Sequence, residues 1–95
     1  MVASIHNLPA EERAEILDRL KKIEGQARGI QRMVEEGRDC LDIMNQLAAV
    51  KAAVNGLSGH LLEAFALRCL RHPEDFDSPE EAIEQAVRAL VRSGR

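Results

Sequence analysis

The stretch from Cys40 to His72, CLDIMNQLAAVKAAVNGLSGHLLEAFALRCLRH, runs without a proline or a turn cluster. Ala48, Ala49, Ala52 and Ala53 favour helix, and Asp39 stands where an N-cap residue belongs. The stretch therefore predicts one long helix. It carries a cysteine near each end, Cys40 and Cys69, and the chain has no others. Everything else is expected to pair this helix with a second copy and to present a basic surface.

The spacing of the cysteines limits how they can meet. At about 100° per residue, the steps from Cys40 to Cys69 return to within about 20° of the same helix face, yet about 43 Å farther along the axis. They cannot touch within one straight helix. They can touch if a second copy packs antiparallel, the isologous geometry of a two-fold dimer. The axis would then cross between Val54 and Asn55, beside Ala52, Ala53 and Gly56, whose small size lets two backbones approach. Met44 would lie near Phe65 of the second copy, and Leu47 near Leu62. The spacing equally accommodates two cysteines that act only as small buried hydrophobes.

As a pair the two thiols are expected to differ. Cys40 lies in the first helical turn, where the dipole favours thiolate, although Glu35, Glu36, Asp39 and Asp42 oppose it. Cys69 lies near the negative end, with Arg68, Arg71 and His72 close in sequence. Cys40 is the expected attacking thiol and Cys69 the resolving one. A metal site on the same two sulfurs needs a further ligand. His60 is about 160° round the helix from Cys40 and faces away. Phe65 shares the cysteine face but offers no donor. His72, or His6 from the N-terminal segment, could be recruited.

The rest of the chain reads as helix and turn. Residues 1–8 look like a flexible arm. Pro9 opens a first helix, with Glu11 and Glu12 at its positive end. Ile16, Leu20, Ile23, Ala27, Ile30 and Met33 recur at helical spacing to about Glu36, and Gly37 supplies the stop. Gly25 and Gly29 inside this helix suggest close packing. After the loop HPEDFDSP, Ser78-Pro79-Glu80-Glu81 is a capping-box start. A third helix runs to about Arg92, with Ala82, Ile83, Ala86, Ala89, Leu90 and Val91 as its apolar side. The reading is all-α: one domain over 1–95, its protomer two long helices plus a short C-terminal helix.

Apolar residues make up 45% of the chain, with Phe65 and Phe76 as the only aromatics, which suits aliphatic helix packing. No signal peptide or membrane-length apolar run is present, so the expected setting is cytoplasmic, away from membranes. Cysteines there are thiols, metal ligands or redox groups rather than a structural disulfide. A thiol enzyme would need a pocket with an acid or base beside the sulfur, and no such pattern is visible, so no catalytic activity is expected. The net charge of −3 does not by itself predict a nucleic-acid binder. Locally, however, Arg19, Lys21, Lys22, Arg28 and Arg32 face only Glu24. Lys21, Arg28 and Arg32 form one stripe, Arg19, Lys22 and Gln26 the next, and Lys51 adds a charge midway along the second helix. An ordinary solvated face would look the same, but oligomers would multiply the patch for phosphate contacts. No base-reading motif is present.

RLKKIEGQARGI (19–30), EEGRDC (35–40) and QLAAVKAAVNGL (46–57) together resemble the CsoR/RcnR family of all-helical bacterial repressors, over roughly residues 10–92. The resemblance implies a dimer of antiparallel hairpins assembling into a tetramer, which binds operator DNA and releases it when a cysteine site is occupied. It places Arg19 and Lys22 at positions associated with DNA binding; Arg28, Arg32 and Lys51 are additions from the charge pattern. Family members sense Cu(I), Ni(II) or Co(II), formaldehyde or reactive sulfur. Cys40 matches the common cysteine, and Cys69 the second cysteine of the copper sensors. Phe65 stands where metal and formaldehyde sensors carry a histidine. Two cysteines without that histidine resemble the persulfide-sensing CstR-type branch. The expectation is a repressor with no cofactor, released when a persulfide or polysulfide links Cys40 to Cys69 of the neighbouring subunit. The alternative is a Cu(I) sensor using Cys40, Cys69 and a third ligand such as His72.

Overall fold

A computed structural model describes residues 4–93. Three helices, α1 (Ala10–Glu35), α2 (Cys40–Arg71) and α3 (Pro79–Ser93), are joined by short connections, with 3-10 turns at Ile5–Asn7 and Pro73–Asp75. The described residues contain no strand. The expected all-α, three-helix protomer is what forms.

The corner between α1 and α2 is built from local chemistry. Glu36 caps α1, and Gly37 takes φ +70°, a left-handed conformation that glycine adopts without strain. Gly37 N–H donates to the Val34 carbonyl at 3.2 Å and Arg38 N–H to Met33 at 3.0 Å. This is the paired bonding of a Schellman motif. Asp39 then accepts from Leu41 N–H at 3.2 Å and starts α2. The chain reverses, so Glu12 near the start of α1 faces His60 late in α2. Arg19 reaches Gly56 in the same antiparallel sense. α1 packs along α2, and the apolar stripes Ile16, Ile23, Ile30 and Met33 of α1 and Ile43, Val50, Ala53 and Leu57 of α2 are all at least half-buried.

α3 covers the far end of α2 from another side. Ala82 and Ala86, both buried, set it against Cys69, Phe76 and Phe65. Ser78 Oγ accepts from Glu81 N–H at 3.1 Å, as the capping box requires.

Three local expectations are corrected. Residues 4–8 are a turn rather than an arm: Ser4 Oγ accepts from His6 N–H at 3.1 Å, Asn7 Oδ1 accepts from Ser4 N–H at 2.7 Å, and Leu8 is buried. Residues 1–3 lie outside the described residues. Gly25 and Gly29 face open space within the protomer, so their small size serves no contact inside it. The apolar positions of α3 also split into two sides. The alanines face inward, while Ile83, Val87, Leu90 and Val91 remain exposed, because the shorter side chains permit the closer approach to α2.

The protomer is elongated, 55 × 27 × 16 Å, with a radius of gyration of 17.3 Å. A compact domain of this length would have about 12 Å. Met44, Leu47 and Val54, which share the helix face of Cys40, are left exposed. A bare apolar stripe of this kind marks an interaction surface.

Candidate thiol site and basic face

The two cysteines sit in opposite environments. Cys40 is exposed at the first turn of α2, beside a 3.7 Å surface ion pair between Arg38 and Asp42. Cys69 is 1% exposed, enclosed by Phe65, Phe76, Ala82 and Ala86. Burial pushes the Cys69 thiol up, partly offset by a backbone hydrogen bond, so at neutral pH this sulfur is a protonated thiol.

A clasp holds the cover in place. Arg68 Nε donates to Asp75 Oδ2 at 2.6 Å, and a second guanidinium nitrogen lies 2.6 Å from the same oxygen. Both side chains are largely buried, where a charge-assisted contact is stronger than on the surface. The contact ties the 73–75 turn to α2 and sets Phe76 over Cys69. Arg68 was expected beside Cys69 as a charge; the structure commits it to Asp75 instead.

His72 caps the end of α2, exposed, with Nδ1 3.2 Å from Glu74. It lines a cleft with Leu8, Glu12 and Arg68, whereas Cys69 lies under α3. His6 Nδ1 sits 3.1 Å from Arg13. Among the described residues, the one group of three potential ligand side chains is Glu12, Glu15 and His60, and it excludes both cysteines. An apolar pocket bordered by Ile5, Leu62, Phe65 and Ala89 opens beside the Cys69 cluster.

The expected basic positions divide as well. Arg19 is half-buried, 3.3 Å from Glu15, with a guanidinium nitrogen 3.8 Å from the point where a Cβ on Gly56 would lie. Arg28 is exposed and 3.6 Å from Glu24. Lys22, Arg32 and Lys51 are exposed. Lys51 departs from the others: helix geometry puts it about 115° round α2 from the centre of the stripe Ile43, Val50, Ala53 and Leu57, on the cysteine side. Lys22 and Arg32 remain on α1.

Residues 12–92 match the metal-sensitive transcriptional repressor family. The chain belongs to this family. It is 42% identical over 84 residues to the copper-sensing transcriptional repressor CsoR of Bacillus subtilis, covering 88% of this chain and 83% of that protein. It is 29% identical over 72 residues to the transcriptional repressor RcnR of Citrobacter koseri, covering 76% and 80%. Among solved structures, the copper-sensing repressor CsoR with Cu(I) from Geobacillus thermodenitrificans superposes with a TM-score of 0.77 at 34% identity, covering 100% of this chain and 95% of that one. The nickel-responsive regulator InrS gives 0.73 at 27% identity, covering 98% and 99%.

The chain is thus a transcriptional repressor of the metal-sensing CsoR/RcnR family, not an enzyme. No helix among the described residues is long and apolar enough to cross a membrane. A metal-sensing family raises the question of donors. The sulfur of Cys69 is surrounded by two phenyl rings and two alanines. A soft ion such as Cu(I) would find one buried sulfur here, protonated until the ion displaces its proton, and no nitrogen. As a Cu(I) pocket, the donor set of one protomer is incomplete.

Three features lay beyond the sequence reading: the Arg68–Asp75 clasp, the cover it holds over Cys69, and the Glu12–Glu15–His60 cluster. Ala82 and Ala86, one turn apart, were the available signal that α3 would pack closely on something. Glu12, Ile16, Arg19 and Ile23 recur at helical spacing, which could have marked Glu12 as facing inward. The clasp joins a helix to a loop and leaves no periodic trace.

Proposed function

We propose that this repressor is switched by reactive sulfur at a Cys40–Cys69 pair formed between two subunits. The observation that carries the reading is Phe65. A phenyl ring packs against the Cys69 cluster where the resemblance to metal sensors calls for a histidine donor. Two thiols without a nitrogen favour sulfur exchange over metal coordination.

The chemistry balances with a hydropersulfide, RSSH, as oxidant. Cys40 thiolate attacks its outer sulfur, giving Cys40–SSH and releasing RS⁻, which takes up the proton that the Cys40 thiol had given to solvent. Cys69 of the second copy then loses its proton and attacks Cys40 Sγ, the inner sulfur of that persulfide, breaking its bond to the outer sulfur. Hydrosulfide leaves with that proton as hydrogen sulfide, and a Cys40–S–S–Cys69 bridge remains between subunits. Longer donors would leave extra sulfurs in the bridge. The exposure of Cys40 suits the first step. The buried, protonated Cys69 suits a resolving thiol that acts only once its cover shifts.

The reduced oligomer, a dimer or a tetramer, binds operator DNA through Arg19, Lys22, Arg28 and Arg32; Lys51, on the face given to the second copy, is left out of this set. Cross-linking favours a form that does not bind, because an inducer can shift only an equilibrium whose two states it discriminates. The test is persulfide treatment, followed by non-reducing mass spectrometry and operator titration. Interprotomer Cys40–Cys69 species with loss of binding are expected. Protein that stays monomeric on a denaturing gel and still binds the operator overturns the reading.

A second reading has its own support, since relatives named as copper sensors match most of the chain. In it, Cys40, Cys69 of the partner and a third ligand such as His72 hold Cu(I). A Cu(I) titration against a strong chelator separates the two. Metal retained under competition favours copper, and metal lost to the chelator favours sulfur.

A further inference from the structure

The cluster that bridges α1 and α2 is unused by the thiol site. His60 projects from α2 between Glu12 and Glu15, one turn apart on α1. Its Nε2 lies 2.8 Å from Glu12 Oε2 and 3.7 Å from Glu15 Oε2, and the three ligand atoms all fall within 4.8 Å of one another. His60 is 22% exposed.

Two features distinguish this group from an ordinary surface ion pair. Glu12 Oε2 and His60 Nε2 are both shut off from water, and neither has an aligned hydrogen bond despite their 2.8 Å separation. Two polar atoms stripped of water without an aligned partner are costly, and one positive centre between them would satisfy both. The spacing also suits such a centre. Ligand atoms at about 2.1 Å from a metal, subtending 90–109°, lie about 3.0–3.4 Å apart. The separations of 2.8 and 3.7 Å from His60 Nε2 fall just either side of that range, and the two carboxylate oxygens lie within 4.8 Å of each other.

We infer that Glu12, Glu15 and His60 form a divalent-cation site across the α1–α2 hairpin, separate from the cysteines. One imidazole and two carboxylates suit a borderline ion such as Zn(II) or Co(II), with water completing the sphere. They do not suit Cu(I), which prefers sulfur. Glu15 has a second role, since its other oxygen accepts from Arg19 at 3.3 Å. An ion drawing charge from Glu15 would loosen the hold on Arg19, so the site borders the basic face directly.

Co(II) is the probe, added to full-length protein carrying Cys40→Ala and Cys69→Ala so that no thiolate competes. The expected result is one Co(II) per protomer, a visible spectrum without a sulfur charge-transfer band, and paramagnetic displacement of the His60 imidazole resonances alone. His60→Gln and Glu12→Gln should each weaken binding at least about tenfold, with helicity by circular dichroism unchanged. Failure to bind Co(II), displacement of His6 or His72 instead, or unchanged affinity in His60→Gln each overturns the site. If the cysteine-free chain does not fold, the reduced parent chain supplies the same readout. Perturbation of His60 there supports the site, and a thiolate charge-transfer band with His60 undisturbed refutes it.

Discussion

The two ends of α2 share one face and differ in almost everything else. The Cys40 end is open, bordered by solvated charge and the bare side chains of Met44 and Leu47. The Cys69 end is closed, roofed by Phe76 and the alanine side of α3 and locked by Arg68 on Asp75. One end waits for a partner, and the other already has a cover from its own chain. Matched positions on a helix thus need not have matched chemistry. What decides is which neighbour reaches the face first, and α3 is long enough to reach only the C-terminal half.

The comparison breaks most visibly at the bare half. Leu47→Glu puts a charge where a second copy is expected to bury a leucine. Self-association measured by sedimentation should weaken by roughly a hundredfold or more, equivalent to about 2.7 kcal/mol. Unchanged association would mean that the open half is not the interface. At the closed half, Phe76→Ala removes a buried ring and should cost about 3–5 kcal/mol in denaturant unfolding. It should also raise the alkylation rate of Cys69 but not that of Cys40.

In the unaltered reduced protein, Cys40 should react with iodoacetamide at least about tenfold faster than Cys69 at neutral pH. Single-cysteine variants give the two rates separately, and equal rates would erase the contrast. Asp39→Ala, which removes the cap beside Cys40, should destabilise by about 1 kcal/mol.

The smallest effect concerns pH. Burial raises the Cys69 pKa above its value of 9.0 in an unperturbed chain, so the unfolded state ionises first. Stability from this group is complete below pH 9 and declines as pH rises through the folded-state value. Cys69→Ala should remove that part of the alkaline decline, and an identical decline in both proteins would place the cause elsewhere.

The helices were legible because their signals are local. Asp39, Gly37 and the Ser78–Glu81 box mark the ends, and the spacing of Ile16, Ile23 and Ile30 marks the inner face. The shared face of Cys40 and Cys69 follows from the pitch alone. The difference between the two thiols was only half visible, because the dipole argument is local whereas Phe76, Ala82 and Ala86 reach Cys69 through tertiary packing. His60 shows the same limit. Helical geometry placed it away from the cysteines, but what it faces there depends on the register of a second helix, set by the four-residue corner at 36–39.

The bare stripe through Met44, Leu47 and Val54 has a consequence for how such a repressor is dosed. A chain that completes its core only by meeting another copy cannot separate its stability from its concentration. Dilution loosens the fold and empties the operator together, so the number of molecules present sets the threshold at which the switch is armed at all.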